Sequence, residues 1–134
     1  MWVIDTDVIS RAMKRRLSDA ARARIDALPG DEVAITSITL GELYFGALRS
    51  SAAGRWLTAV AALERKTRYL DFDAGAARHY GEIRAHIEAR RTRIDDPALR
   101  IASICRSRDH VLVSGNEKHF ARVPGLRFEN WLKR

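Results

Sequence analysis

Cysteine is almost missing from this 134-residue chain, with Cys105 the only example. A lone thiol excludes a secreted disulfide framework and points to a reducing cytoplasm. Because Cys105 lies on an apolar helical stripe, it reads as an ordinary core residue. His79, His86, His110 and His119 have neither the i, i+4 pairing nor the cysteine partners of a zinc site. There is no phosphate-cradling glycine-rich loop, nucleophile elbow or paired-cysteine motif, so the usual nucleotide-loop, serine-hydrolase and thiol-redox chemistries lack their residues. No apolar run approaches the roughly 20 residues of a membrane span, and the opening Met1-Trp2-Val3-Ile4-Asp5 meets an acid too soon for a signal peptide. The expectation is a soluble cytoplasmic protein with no membrane partner. Repeats, low-complexity tracts and linkers are also missing, so residues 1–134 are expected to fold as one domain. A chain of that length buries about two-thirds of the surface exposed when it unfolds.

Negative charge is in the minority, with 17 Asp and Glu against 24 Lys and Arg, for a net charge of +7. Twenty of the 24 cations are arginine, whose planar guanidinium suits bidentate contact with phosphate. Nucleic acid is the natural acidic partner. Basic residues gather at Arg11, Lys14, Arg15, Arg16, Arg22 and Arg24, and again at Arg84, Arg90, Arg91, Arg93, Arg100, Arg106 and Arg108. From charge alone, solvated faces of amphipathic helices account for them equally well.

Three short apolar runs, Trp2-Val3-Ile4, Val33-Ala34-Ile35 and Val111-Leu112-Val113, have the pattern of strands buried on both faces of a parallel sheet. Weaker strands are expected over residues 68–72 and 126–128. Between them, apolar residues three or four apart predict helices over 17–28, around Leu40, Leu43, Tyr44, Ala47 and Leu48, and around Ala76, Tyr80, Ile83 and Ile87. Ser50-Ser51 and Gly54 read as a turn between two helices. Alternating strands and helices predict an α/β fold with a central parallel sheet of four to five strands.

In such a sheet, ligands bind beyond the carboxyl ends of the strands. There the chain has Asp5-Thr6-Asp7 and Ser114-Gly115-Asn116, while Glu42 lies one turn in from Thr36-Ser37. Each has a local alternative: Asp7 as a helix cap, Glu42 as the capping-box partner of Thr39, and Asn116 as a turn residue. If the acids converge, carboxylates within about 4 Å of one another repel by a few kcal/mol per pair at an effective dielectric of about 20, and the cluster must take up protons or a cation. Hard oxygen donors imply Mg²⁺ or Mn²⁺. In a basic protein, that suggests metal-assisted phosphodiester hydrolysis.

These segments resemble the PIN-domain ribonucleases, and within them the VapC toxins of bacterial VapBC toxin–antitoxin pairs. "WVIDTDVIS" resembles the first strand and first acid, and "AITSITLGELYFGAL" the second strand and the helix with the second acid. "RIDDPALRIASICRSRDHVLVSGNEKHFARVPGLRFENW" is similar to the family's C-terminal third. The resemblance implies a three-layer α/β/α fold. It implies Asp5 and Glu42 as the first two metal-binding acids, Asn116 as the fourth site and Ser114 as the hydroxyl facing the metal. Asp7 stands where the family often has asparagine, and its role is left open.

The third acid is the departure. Aligning "LRIASIC" puts the family's aspartate at position 98, occupied here by Ala98. Asp95 and Asp96 are out of register. Asp96 before Pro97 reads as a helix N-cap with proline at the first helical position, and position 98 then falls in the first turn, where a carboxylate gains from the helix dipole. Two origins fit the alanine: a degenerate natural member, or an engineered replacement that silences a nuclease harmful to its host. Survival of Asp5, Glu42, Ser114 and Asn116 favours the second.

What the resemblance implies is a Mg²⁺- or Mn²⁺-dependent endoribonuclease, impaired by Ala98, acting on transfer or ribosomal RNA. It further implies a homodimer and a VapB-type antitoxin that inserts an arginine into the acidic pocket. Arg11, Arg15, Arg93 and Arg100 are the expected RNA contacts, and the apolar residues around 40–48 and 57–63 the candidate dimer surface. A non-catalytic basic RNA-binding module is the main rival. A phosphoacceptor receiver domain fits poorly, since its required lysine has only Lys118 as a candidate, several residues too far along.

Overall fold

The computed structural model describes residues 1–132. The chain runs β1 (Trp2–Ile4), α1 (Thr6–Met13), α2 (Asp19–Asp26), a 3₁₀ turn (Gly30–Glu32), β2 (Val33–Thr36), α3 (Ser37–Arg49) and α4 (Ala53–Lys66). It continues as β3 (Arg68–Leu70), α5 (Ala74–Ala89), α6 (Asp96–Ser107), β4 (Val111–Val113), α7 (Glu117–Phe120) and β5 (Arg127–Glu129). All strand pairs are parallel, in the order β3-β2-β1-β4-β5.

The three apolar runs are short because β1, β2 and β4 each cross the core once and are covered on both faces. Alternate residues serve opposite layers. Val3 and Leu112 pack with Ile83, Ile87, Ile101, Ala102 and Cys105 of α5 and α6. Ile4 and Val113 pack with Val8, Leu40 and Trp131 on the other side, where Leu43, Ala47 and Val60 join α3 to α4. The expected three-layer α/β/α architecture is what forms. No helix among the described residues is long and apolar enough to cross a membrane.

Boundaries differ from the sequence reading where side chains override local pattern. β3 stops at Leu70, since the Asp71 carbonyl accepts from Arg108 Nη2 at 3.1 Å and Phe72 turns to meet Tyr80 edge-on. The last strand starts at Arg127, because Leu126 N bonds back to Val123 O in the preceding turn. The second helix is shorter than residues 17–28: Ser18 Oγ accepts from Ala21 N at 3.1 Å and starts it at Asp19. Gly54 lies inside α4, not in the turn, and the Ser50 hydroxyl, accepting from Ala52 N, makes that turn.

The switch in strand order falls between β1 and β4. Their carboxyl ends, Asp5 and Ser114, therefore flank the crevice where doubly wound sheets bind ligands.

Candidate active site at the carboxyl ends of the strands

Asp5 leaves β1 with its amide bonded to Val113 O at 2.9 Å and becomes the N-cap residue of α1, although its side chain makes no cap bond. The side chain faces inward instead, and the residue is 6% exposed. Ser114 Oγ, fully buried, donates to Asp5 Oδ2 at 2.7 Å and accepts from Asn116 N at 2.9 Å. Burial pushes the Asp5 carboxyl up to about 7. The Ser114 bond opposes the rise, and the nearby charges of Asp7 and Glu42 add to it.

Glu42 projects from the second turn of α3. Its Oε1 accepts from Thr6 Oγ1 at 2.6 Å, and that hydroxyl also lies 3.1 Å from Thr39 Oγ1. The α3 cap is Thr36, which accepts from Thr39 N at 3.1 Å, so no capping box ties Glu42 to Thr39. Glu42 is instead held toward the residue that follows Asp5. The role of Thr6 was missed from the sequence, although its position between two acids at a strand end was a signal.

Asp7 does not cap a helix. Its Oδ2 accepts from Gly115 N at 3.1 Å, and its Oδ1 is buried with no partner among the described residues. The fit at Gly115 is close: a Cβ there would sit 2.5 Å from Leu132 Cδ1 and 2.9 Å from Asp7 Oδ2. Asn116 Nδ2 lies 3.0 Å from His119 Nδ1, and the same nitrogen lies 2.9 Å from Asp95 Oδ1. One ring nitrogen serves one of these contacts at a time in either tautomer, but together they tie the β4–α7 connection to the start of α6.

Ala98 is the third residue of α6 and is buried. Ala102 and Cys105 follow it on the same helical face, both fully buried. Burial pushes the Cys105 thiol up. Ala98, Ala102 and Cys105 pack with Val3, two residues before Asp5 in β1, so this face of α6 lies against the Asp5 side of the sheet. At position 98 it offers only a methyl group. The N-cap of α6 is Asp95, with Asp96 and Pro97 as the first two helical residues. This shifts the expected cap by one residue, because Asp96 is drawn outward by Tyr80 and Arg100. The Tyr80 hydroxyl donates to Asp96 at 2.6 Å and Arg100 Nε donates at 2.5 Å, holding its carboxyl below the usual range. Neither aspartate shares the buried face of Ala98, Ala102 and Cys105, and both are exposed.

Among the described residues, no group of three or more His, Cys, Asp and Glu side chains is placed to hold a metal ion. The donor chemistry that remains is hard oxygen: the Asp5 and Glu42 carboxylates and the Asn116 amide. These suit a divalent cation such as Mg²⁺ or Mn²⁺, which would relieve the charge that burial penalises at Asp5. Beside Glu42, a cleft of about 200 Å³ between α1, α3 and α4 is lined by Thr6, Lys14, Arg49 and Trp56. Its cations are thus Lys14 and Arg49, whereas Arg11 and Arg15 do not line it and Arg11 is exposed at the end of α1. Arg93 is exposed in the α5–α6 connection. Arg100 is occupied, paired with Asp96 and lying 5.2 Å and 5.3 Å from the ring centres of Phe72 and Tyr80.

Comparison with known proteins matches residues 2–126 to the PIN domain family model. The tRNA(fMet)-specific endonuclease VapC of Salmonella typhimurium is 35% identical over 97% of both chains. Ribonuclease VapC2 of Haemophilus influenzae is 31% identical over 98% of both. Among solved structures, DNA-bound VapBC from Salmonella typhimurium superposes with a TM-score of 0.89 at 35% identity, covering 97% of each chain. A buried acid at the end of β1, a second on α3 and a hydroxyl-amide pair after β4 thus stand in a frame shared from end to end: the chain belongs to the PIN-domain family, among the VapC ribonucleases.

Proposed function

We propose that this protein is the toxin of a VapBC-type pair, a Mg²⁺- or Mn²⁺-dependent endoribonuclease whose third acidic ligand is vacated by Ala98. The carrying observation is Asp5: a carboxylate buried at a strand end, raised to about 7, beside Glu42 and backed by Ser114. A fold does not keep such a costly group for stability.

Asp5 and Glu42 would hold the cation, with Asn116 contributing its amide oxygen. The bound ion supplies an activated water and positive charge for the phosphodiester transition state. Ser114 keeps Asp5 oriented, with one carboxylate oxygen committed to its hydroxyl. Thr6 does the same for Glu42. Lys14 and Arg49 line the cleft next to Glu42 and would hold the RNA backbone there. Alanine at position 98 leaves one wall without charge, so cation affinity and turnover both fall.

Relatives at 33% and 35% identity are named tRNA(fMet)-specific endonucleases, which favours transfer RNA over ribosomal RNA as the substrate. Related structures are VapBC complexes, and an antitoxin arginine reaching Asp5 and Glu42 would replace the cation's charge. Phe45 and Leu48, 62% and 65% exposed on the outer face of α3, support that helix as the homodimer surface.

The test is cleavage of total cellular RNA by this chain and by Ala98→Asp, with Mg²⁺ or Mn²⁺ and with a chelator. Metal-dependent fragments from the aspartate form, on the order of 100-fold faster than from the alanine form, are expected, since losing even an outer partner of a metal ligand costs about 10–100-fold. Ala98 itself favours a second reading, an RNA-binding module with no chemistry. On that reading the aspartate form cuts nothing.

A further inference from the structure

A second cleft, about 550 Å³ in volume, opens between α5 and the first turn of α6. Asp96 and Leu99 line it, so it is built on the same first turn of α6 that carries Ala98. Its other polar lining includes Arg84, Glu88, Arg91 and Arg93.

The charges here are unequally engaged. Glu88 accepts from Arg84 Nε at 2.6 Å, and Asp96 accepts from Arg100 Nε at 2.5 Å. Both acids are thereby neutralised within their own helices. Arg91 and Arg93 are exposed, and their guanidinium groups make no ion pair or hydrogen bond among the described residues. The loop carrying them is fixed: Thr92 N and Thr92 Oγ1 both donate to Ile87 O, at 3.2 Å and 3.1 Å, and Arg122 Nη1 donates to Arg93 O at 3.3 Å. Arg91 itself has φ +54°, in the left-handed region that favours glycine at a helix end, yet an arginine occupies it. Two unpaired cations therefore sit on the fixed rim of this cleft.

The aromatic ring in this cleft is not free to stack on a base. Tyr80 gives its hydroxyl to Asp96, meets Phe72 edge-on and has the guanidinium groups of Arg84 and Arg100 within 6.0 Å and 5.3 Å of its ring centre. What the cleft offers is charge without base readout.

We infer that the α5–α6 cleft is a phosphate track for the RNA strand lying in the acidic site, with Arg91 and Arg93 each neutralising one backbone phosphate. This rests on the ribonuclease reading above and adds where the strand runs. The bland explanation, two cations stabilising the carboxyl end of α5, predicts no role in RNA binding.

The test is fluorescence anisotropy of this cleavage-impaired chain, in chelator, with a labelled single-stranded RNA of about 20 nucleotides across roughly 50–300 mM KCl. Each phosphate contact contributes about 0.7 to the slope of log Kobs against log salt, so Arg91→Ala/Arg93→Ala should flatten the slope by about 1.4. Arg91→Lys/Arg93→Lys should keep it, which a purely structural loss would not do. An unchanged slope in the alanine double variant, with the parent still binding RNA, overturns the track and leaves the ribonuclease reading intact. No RNA binding by the parent overturns both. Displacement of the RNA by polyglutamate as readily as by unlabelled RNA makes the occupant an acidic protein segment and also overturns the proposal.

Discussion

Replacing Asp5 by asparagine should stabilise the metal-free protein, by an amount that grows with pH. Asp5 is 6% exposed, and its carboxyl is raised from 3.8 to about 7 by burial, with the charges of Asp7 and Glu42 adding to the effect. The folded state therefore binds a proton that the unfolded state has already lost over the range from about pH 4 to about pH 7. Stability falls as pH rises through that window, and the penalty is fully present above it. At 1.36 kcal/mol per pK, the ionised carboxylate costs the native state about 4 kcal/mol. Asparagine keeps the shape, carries no charge and can still accept the Ser114 hydroxyl that lies 2.7 Å from Asp5 Oδ2. Urea unfolding in chelator should find parent and Asp5→Asn nearly equal at about pH 4 and the variant about 4 kcal/mol more stable at about pH 8. Millimolar Mg²⁺ should narrow the gap at about pH 8 by stabilising the parent alone. A gap below about 1 kcal/mol at that pH, or one that does not widen from acid to alkali, refutes the reasoning.

Other perturbations probe the frame. Gly115→Ala should lower stability by about 1–3 kcal/mol, since its Cβ would meet Leu132 and Asp7; Gly30→Ala, with nothing within 4 Å, should not. Thermal melts of the two variants check the contrast. Cys105 should resist a disulfide-exchange reagent in the native state at about pH 8 and react on unfolding, because its fully buried thiol is pushed well above the usual range. Stoichiometric labelling without denaturant would contradict its placement behind Asp5.

Much of this molecule is legible in the order of its residues. Val3, Ile4, Leu112 and Val113 belong to continuous apolar runs because both faces of the sheet are covered, and each run ends where the chain must meet solvent or a ligand. The residues that follow those runs, Asp5, Ser114 and Asn116, are thereby assigned to one end of the sheet by sequence alone. Less legible were outcomes decided by distant partners. Asp96 looks like a cap, but Tyr80 from α5, sixteen residues earlier, takes its carboxylate and moves the cap to Asp95. Arg100 reads as a free cation, but its Nε is given to Asp96 and its guanidinium lies against Phe72 and Tyr80. Thr6 looks like a spacer between acids, but its hydroxyl reaches Glu42 across thirty-six positions. Local propensity does not encode such pairings, which depend on how α5 packs on α6 and α1 on α3.

A Mn²⁺ titration of cleavage tests most directly the proposal that Ala98 stands in place of a ligand. Initial rates on a transfer RNA transcript, measured against Mn²⁺ concentration for this chain and for Ala98→Asp, report metal dependence and ligand deletion together. The predicted result is saturable, chelator-sensitive cleavage by the aspartate form. Its half-saturating Mn²⁺ concentration should be at least about tenfold lower than for the alanine form, as expected for at least about 1.4 kcal/mol from a restored carboxylate. Superimposable curves for the two forms, or cleavage indifferent to the cation, would contradict it.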